Sequence, residues 1–338
     1  MSITVLIPTY RRPQDLKRCL EALIQQTRSA DQVVVVVRDI DTETWDLLKK
    51  SDFAPLPLYT ETVTVPGQVA ALNAGLDVAQ GDIVSITDDD AAPHVDWLSR
   101  IEAHFLADEH VGGVGGRDWM YLGTTLQDRS TLPGASQVVG RVQWCGRVTG
   151  NHHIGEGSPR EVDVLKGANM SFRRSALVNL GFDQRLQGTG AQVHNDLAFS
   201  LALRQRGWKL IYDPAVAVNH YLSQRFDEDQ RQQFNQLAFI NAVHNETLTL
   251  LEYLPPVKRA IFLIWAICVG TRDALGFAQC LRLLKSEKGL AVQKWVASIH
   301  GRWQGFWTWQ HHRQTSGLSN PSQKIVSQSK TFMPGEAE

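Results

Sequence analysis

The stretch DIVSITDDDAAPHVDWL, residues 82–98, decides how the chain is organised. Its apolar, β-branched start is continuous rather than alternating, as expected of a strand covered on both faces of a parallel sheet. That strand runs straight into Asp88, Asp89 and Asp90, and a helix-start signal follows from Pro93 to Leu98. Consecutive carboxylates raise one another's energy, and a hard divalent cation with oxygen ligands relieves the repulsion. Mg²⁺ or Mn²⁺ suits such ligands, and Mg²⁺ typically completes its shell with substrate phosphates, so the triplet points to a metal and a phosphate-bearing substrate. A solvated turn or helix cap is the alternative for an acidic triplet. Its place between a buried strand and a helix start argues against that alternative.

Upstream, ITVLI (3–7) and VVVVV (33–37) have the same buried-strand character. Between them, Leu16, Cys19, Leu20, Leu23 and Ile24 recur at helical spacing over 15–26, and 69–79 forms another helical stretch before Gly81. Strand, helix and strand in succession predict an α/β fold with a mostly parallel, Rossmann-type sheet flanked by helices. Ligands of such sheets sit at the carboxyl ends of strands. The loops 8–12, 38–41 and 88–93 all lie at such ends, so one crevice gathers them.

Lys and Arg number 34 against 35 Asp and Glu, a net charge of −1. Without a bulk positive field, nucleic acid is not an expected partner. The four cysteines form no C-x-x-C pair, which argues against a zinc site or a disulfide framework. The N-terminus lacks the order of a signal peptide, and the apolar run at 260–270 stops at Arg272 and Asp273, so a cytoplasmic location without a membrane span is expected.

Residues 112–167 are rich in Gly, Ser and Thr and weak in periodicity, and are expected to be loops and irregular strands lining a substrate cleft. Periodicity returns as a helix over 196–206 and a strand around 209–212. Three regions follow: a catalytic part at 1–224, a C-terminal helical extension at 225–310 and a disordered tail at 311–338. Half of the ten tryptophans (Trp265, Trp295, Trp303, Trp307 and Trp309) lie in the extension, interleaved with basic residues. That pattern suits a peripheral contact of 255–310 with the cytoplasmic face of a membrane. A helical subdomain packed on the sheet, or on a second subunit in a homo-oligomer, is the equal alternative.

Four stretches carry a family likeness: VLIPTYRRPQDLKRCLEAL (5–23), GQVAALNAGLDVAQGDIVSITDDDAAPHVDWL (67–98), KGANMSFRRSALVNLGFDQRL (166–186) and HNDLAFSLALRQRGWKLIYDPAVAVNH (194–220). In this order they resemble the family 2 glycosyltransferases, which are nucleotide-sugar-dependent, inverting enzymes of GT-A fold. The resemblance implies that Pro8, Thr9 and Tyr10 border the nucleotide, Asp39 bonds the base and Asn73 closes that pocket. Asp88 would face the ribose, with Asp89 also in the nucleotide-sugar site. Asp90 and His220 would bind Mn²⁺ or Mg²⁺, and Asp196 would be the catalytic base.

The expected activity is transfer of one sugar from a nucleotide-diphosphate sugar, by family likeness a UDP-sugar, to a hydroxyl of a glycan or lipid-linked acceptor. Polysaccharide or cell-envelope glycan synthesis would be its setting. Two departures stand out. The second-strand loop reads Arg38-Asp39-Ile40-Asp41 where the family usually has two acids and Gly-Ser, and Asn195 stands where Glu usually precedes the catalytic aspartate. As structural alternatives, Asn195 or Asp196 caps a helix and His220 is a polar strand end. The rival functions are a metal-dependent nucleotidyltransferase, for which Arg11-Arg12 is a faint phosphate loop, and a non-catalytic nucleotide-sugar-binding protein.

Overall fold

A computed structural model describes residues 1–127, 133–230 and 233–318, with side chains to His312. The amino-terminal half alternates strand and helix: β1 (Ile3–Thr9), α1 (Pro13–Ile24), β2 (Gln32–Arg38), α2 (Thr42–Lys50), β3 (Leu58–Val63), α3 (Gln68–Val78) and β4 (Ile83–Ile86). Next come β5 (Ala91–Pro93), α4 (Trp97–Ala107), β6 (Val111–Leu122) and the short strands β7 (Thr125–Leu126), β8 (Arg141–Val142), β9 (Val148–Thr149) and β10 (Arg160–Val162). After β11 (Met170–Arg173), α5 (Asn195–Gln205) and β12 (Lys209–Tyr221), the chain turns helical: α6 (Gln236–Tyr253), α7 (Pro256–Cys268), α8 (Phe277–Glu287) and α9 (Gly289–Leu318).

The main sheet runs β10-β12-β6-β11-β4-β1-β2-β3, parallel within β4-β1-β2-β3 and between β12 and β6, and antiparallel on both sides of β11. Successive strand residues face opposite sides. Val5, Ile7, Val33 and Val35 therefore join Leu16, Leu20, Trp97 and Ile101 in the core on the α1 and α4 face. Leu6, Val34 and Val36 join Leu72, Phe172 and Phe199 on the α3 and α5 face. Leu248 of α6 belongs to that second core, so the helical region is continuous with the sheet's packing rather than set apart from it.

Two sequence expectations need correction. The glycine-rich segment expected to be irregular holds β6, a 12-residue strand in the middle of the sheet. Its glycines hide the apolar pattern because neighbours occupy the space of their side chains: a Cβ on Gly116 would lie 1.7 Å from the Val216 carbonyl oxygen, and one on Gly113 would lie 2.7 Å from a Leu210 methyl. The tail boundary at 311 also shifts, since α9 continues to Leu318. No Gly or Pro interrupts 306–316, and the His311 ring packs 4.8 Å from that of Trp307 one turn earlier. Residues 319–338 lie outside the described residues.

Candidate functional site

The carboxyl ends of the parallel strands open into a cleft of about 310 Å³. Pro8, Thr9 and Tyr10 of the β1–α1 turn line one side, with Gln68 at the start of α3 and Asp88 after β4, and Gly190 and Ala191 contribute the opposite wall. The Tyr10 ring lies 5.2 Å from the Arg11 guanidinium and 5.7 Å from that of Arg38. An aromatic ring among cations, beside backbone at strand ends, suits a base and phosphates.

The triplet divides by direction. Asp88 and Asp90 turn toward His220 of β12, and each of the three offers one ligand atom within 4.8 Å of the others. The pairing of β12 with β5 sets this meeting: His220 is in register with Ala91, and Tyr221 N donates to the Asp90 carbonyl at 2.8 Å. His220 is only 4% exposed, its Nε2 lies 3.2 Å from Asp90 Oδ1, and neither ring nitrogen makes a hydrogen bond of good geometry. A buried imidazole that makes no well-formed hydrogen bond and faces two carboxylates fits a divalent ion with mixed oxygen and nitrogen ligands.

Asp89 points the other way, is fully buried and accepts from the Thr9 hydroxyl at 2.7 Å. Arg12 reaches it at 2.7 Å and Asp90 at 3.0 Å. Burial pushes the Asp89 carboxyl up to about 7; Arg12 opposes the rise most strongly, and Asp90 adds to it. Burial alone would lower the Arg12 guanidinium, but Asp89, Asp90 and Asp88 hold it above its ordinary value. The turn that aims Arg12 inward has Arg11 at φ +57, with its N–H donating to Asp41 Oδ2 at 2.6 Å.

Asp196 lies in the first turn of α5, where its Oδ1 accepts from Leu197 N at 2.8 Å and its Oδ2 from Gly167 N at 3.3 Å. The adjoining Asn195 donates to Gln68 Oε1 at 3.3 Å, and Gln68 Nε2 donates to Asp88 Oδ1 at 3.2 Å. One amide relay thus ties the start of α5 to the metal-competent group. Lys166, which pairs with the fully buried Asp118 at 2.9 Å, lies in the field of both ends. Burial would lower its ammonium, but Asp118, then Asp196 and Asp88, raise it.

The model of the family described as "Glycosyl transferase family 2" matches residues 4–180. The chain belongs to that family. This transferase is 23% identical over 269 residues to a glucosyl-dolichyl phosphate glucuronosyltransferase of Haloferax volcanii, an alignment covering 76% of this chain and 79% of the relative. Among solved structures it is similar to the mannosyltransferase PcManGT of Pyrobaculum calidifontis in complex with GDP-Man and Mn²⁺, with TM-score 0.52, 19% identity and coverage of 95% and 87%. It is also similar to S. aureus TarS 1-349 in complex with UDP-GlcNAc, with TM-score 0.53, 15% identity and coverage of 93% and 92%. The fold is accordingly that of GT-A glycosyltransferases.

Among the expected site residues of the transferase, Pro8, Thr9, Tyr10 and Asp88 line the cleft, and Asp88, Asp90 and His220 converge. Asp88 thus does both: it lines the cleft, where a ribose contact is expected, and offers a ligand atom beside Asp90 and His220. Asp89 does not line the cleft; its role is the buried ion pair with Arg12. Asn73 lies outside the cleft too, because both ends of its amide are taken by the Phe182 backbone, at 3.0 and 2.7 Å. Arg38 lines the cleft in place of Asp39, which is 41% exposed and 3.7 Å from Arg38 Nε. Asp41 is spent on capping α2 through Thr44. Gln68 and Asp118 carried no sequence signal of function. Arg12, the faint phosphate loop of the rival reading, is engaged by the acidic cluster.

Proposed function

We propose that this chain is an inverting glycosyltransferase that moves one sugar from a nucleotide-diphosphate sugar to a hydroxyl of a glycan or lipid-linked acceptor, in the synthesis of a polysaccharide or cell-envelope glycan. The observation that carries the reading is the convergence of Asp88, Asp90 and His220 at the nucleotide-sized cleft, linked through Gln68 to the helix that bears Asp196.

A bound Mn²⁺ or Mg²⁺ supplies charge neutralisation for a departing diphosphate. Tyr10 and the backbone of 8–10 hold the nucleotide, and Gln68 orients Asp88. The acceptor oxygen forms its bond to the anomeric carbon as the bond to the diphosphate breaks on the opposite face, and the electron pair leaves with the diphosphate. The hydroxyl proton passes to the Asp196 carboxylate, which the Gly167 and Leu197 amides hold in place. One displacement gives inversion.

The acceptor class is supported by the relative that acts on a glucosyl-dolichyl phosphate. No helix among the described residues is long and apolar enough to cross a membrane. The exposed Ile264, Ile267, Trp303 and Trp307 support a peripheral seat of 255–310 on the cytoplasmic face. A homo-oligomer through the same helices is the competing reading.

A thermal-shift panel of UDP-, GDP- and dTDP-sugars with and without Mn²⁺ tests the donor site. A metal-dependent shift with one nucleotide, absent in Asp90→Ala, is expected, with UDP as the first candidate. No shift with any donor would sink the reading. Asp196→Asn is expected to keep that shift and lose transfer by at least about a hundredfold, the usual contribution of a general base.

A further inference from the structure

A second cavity, about 820 Å³, lies between the β8–β9 hairpin, the start of α5, α6 and the α7–α8 junction. One chain segment, 190–194, runs from the donor cleft to this cavity. Gly190 and Ala191 line the cleft, His194 lines the second cavity, and Asp196 follows two residues later. The left-handed backbone of His194, φ +76, turns the chain between the two spaces. The second cavity thus reaches to within two residues, along the chain, of Asp196.

The chemistry of the walls narrows the ligand. Arg147 of the hairpin, Arg272 of the α7–α8 junction and Arg282 of α8 all line this space, and among the described residues none of their guanidinium groups has a hydrogen bond or ion pair. Of the carboxylates there, Glu246 is committed to the buried Arg302 at 3.4 Å, which leaves only Asp273 against three guanidinium groups. Guanidinium groups without carboxylate partners suit a phosphate, which each can grip with two parallel hydrogen bonds. Gln279 adds an acceptor: its buried Oε1 has no hydrogen-bond partner, as a sugar hydroxyl would require.

The remaining wall is aromatic and apolar. Trp144, 69% exposed at the hairpin tip, and Trp265 of α7 both line it. The helices that carry Trp265 and Arg282 also bear the exposed Ile264, Ile267, Phe277 and Leu281. Cations, a hydroxyl-seeking amide and two tryptophans occur in one space, whose volume lies within the ~300–1,000 Å³ usual for small-molecule sites.

We propose that this cavity is the acceptor subsite and takes a sugar linked through phosphate to an isoprenoid chain. The phosphate lies against Arg147, Arg272 and Arg282, and the first isoprene units lie against Trp144 and Trp265. The assignment rests on the transferase reading above, and it names the site and the ligand chemistry that reading leaves open.

The test is binding of farnesyl phosphate, below its micelle concentration, to the full chain, followed by tryptophan fluorescence and calorimetry beside farnesol and inorganic phosphate. Saturable binding of farnesyl phosphate is expected, about tenfold weaker in Arg147→Ala/Arg282→Ala and in Trp144→Ala, each confirmed as folded by circular dichroism. Lysine at positions 147 and 282 should restore part of the affinity. Farnesol binding as tightly would reduce the cavity to an apolar surface, and phosphate binding as tightly would reduce it to an anion site; either overturns the proposal, as does affinity unchanged in the arginine variants. Donor binding with Mn²⁺, measured on the same samples, reports on the transferase reading separately. If donor binds normally and farnesyl phosphate does not, only the acceptor assignment falls. Asp90→Ala should abolish donor binding and leave farnesyl phosphate affinity unchanged.

Discussion

Arg12 Nη2 stands 2.7 Å from Asp89 Oδ1, and the same guanidinium reaches Asp90 at 3.0 Å. The middle carboxylate of the triplet is thereby satisfied from the protein's own side, while Asp88 and Asp90 face His220. One consequence concerns stability. Arg12→Ala leaves a fully buried carboxylate without its cation, a loss of order 3 kcal/mol, at the low end for a broken buried pair because the Arg12 side chain is 20% exposed. Urea unfolding should show that drop, and Mn²⁺ should recover more stability in the variant than in the parent, because it returns positive charge to the cluster. Equal recovery in both proteins would contradict the pairing.

Asp88 and Asp89 should respond oppositely to the same substitution. Asp88→Asn replaces a charged ligand oxygen by a neutral, weaker one and is expected to weaken Mn²⁺-dependent donor binding by at least about tenfold with little change in fold stability. Asp89→Asn should leave metal affinity close to the parent value and shift the unfolding midpoint. Calorimetric titration with Mn²⁺ beside denaturant curves for both variants reads the contrast.

Asp118 gives the pH dependence. Its burial would raise the carboxyl, but Lys166 and then His220 lower it below its ordinary value. A depressed carboxyl contributes stability that is full above the ordinary carboxylate range, near ~3.9, and is lost as pH falls through the folded value. Lys166 is raised, so its contribution is full below the ordinary lysine range and is lost as pH climbs through the folded value. Asp118→Asn should cost about 2–3 kcal/mol at neutral pH, discounted because Lys166 is a third exposed, and should flatten the acid limb of the stability curve. A variant with the parent's acid limb would show that the pair does not set it.

Asn245 of α6 holds the wall of the donor cleft from behind. Its side chain accepts from Gln187 N at 2.7 Å and donates to the carbonyls of Gln187 at 2.9 Å and Val193 at 3.0 Å. Asn245→Leu is expected to destabilise the fold by about 1–3 kcal/mol, the cost of leaving such backbone groups unpaired. It should also raise the donor KM more than it lowers kcat, since Gly190 and Ala191 lie within the segment it braces. Steady-state kinetics at saturating Mn²⁺ separates the two effects.

The strand-helix alternation, the buried run ending at Asp88 and the four ordered motifs were legible in the sequence because each is local. Apolar periodicity within 10 or 20 residues reports which face of an element is covered. β6 escaped because its glycines make room for the side chains and backbone of others, and a residue chosen for what approaches it leaves no apolar signature. β3 escaped for another reason: at the sheet edge it keeps polar, exposed residues. Asn73 carried the right motif, but its amide is consumed by Phe182 over a separation of 109 residues.

The sequence alone determined the fold class, the family and a cluster of acids at the end of a strand, since those depend on residue order. Which carboxylates face the metal-competent side, which is paired with Arg12, and that a cavity lined by Arg147, Arg272 and Arg282 adjoins the Asp196 helix were decided by tertiary structure. Those outcomes depend on the β1–β4 and β12–β5 registers and on the packing of α6–α9 on one another and, through Leu248, on the sheet. They bring together side chains from 77 to more than a hundred residues apart, whose mutual distance and loss of water no local pattern encodes.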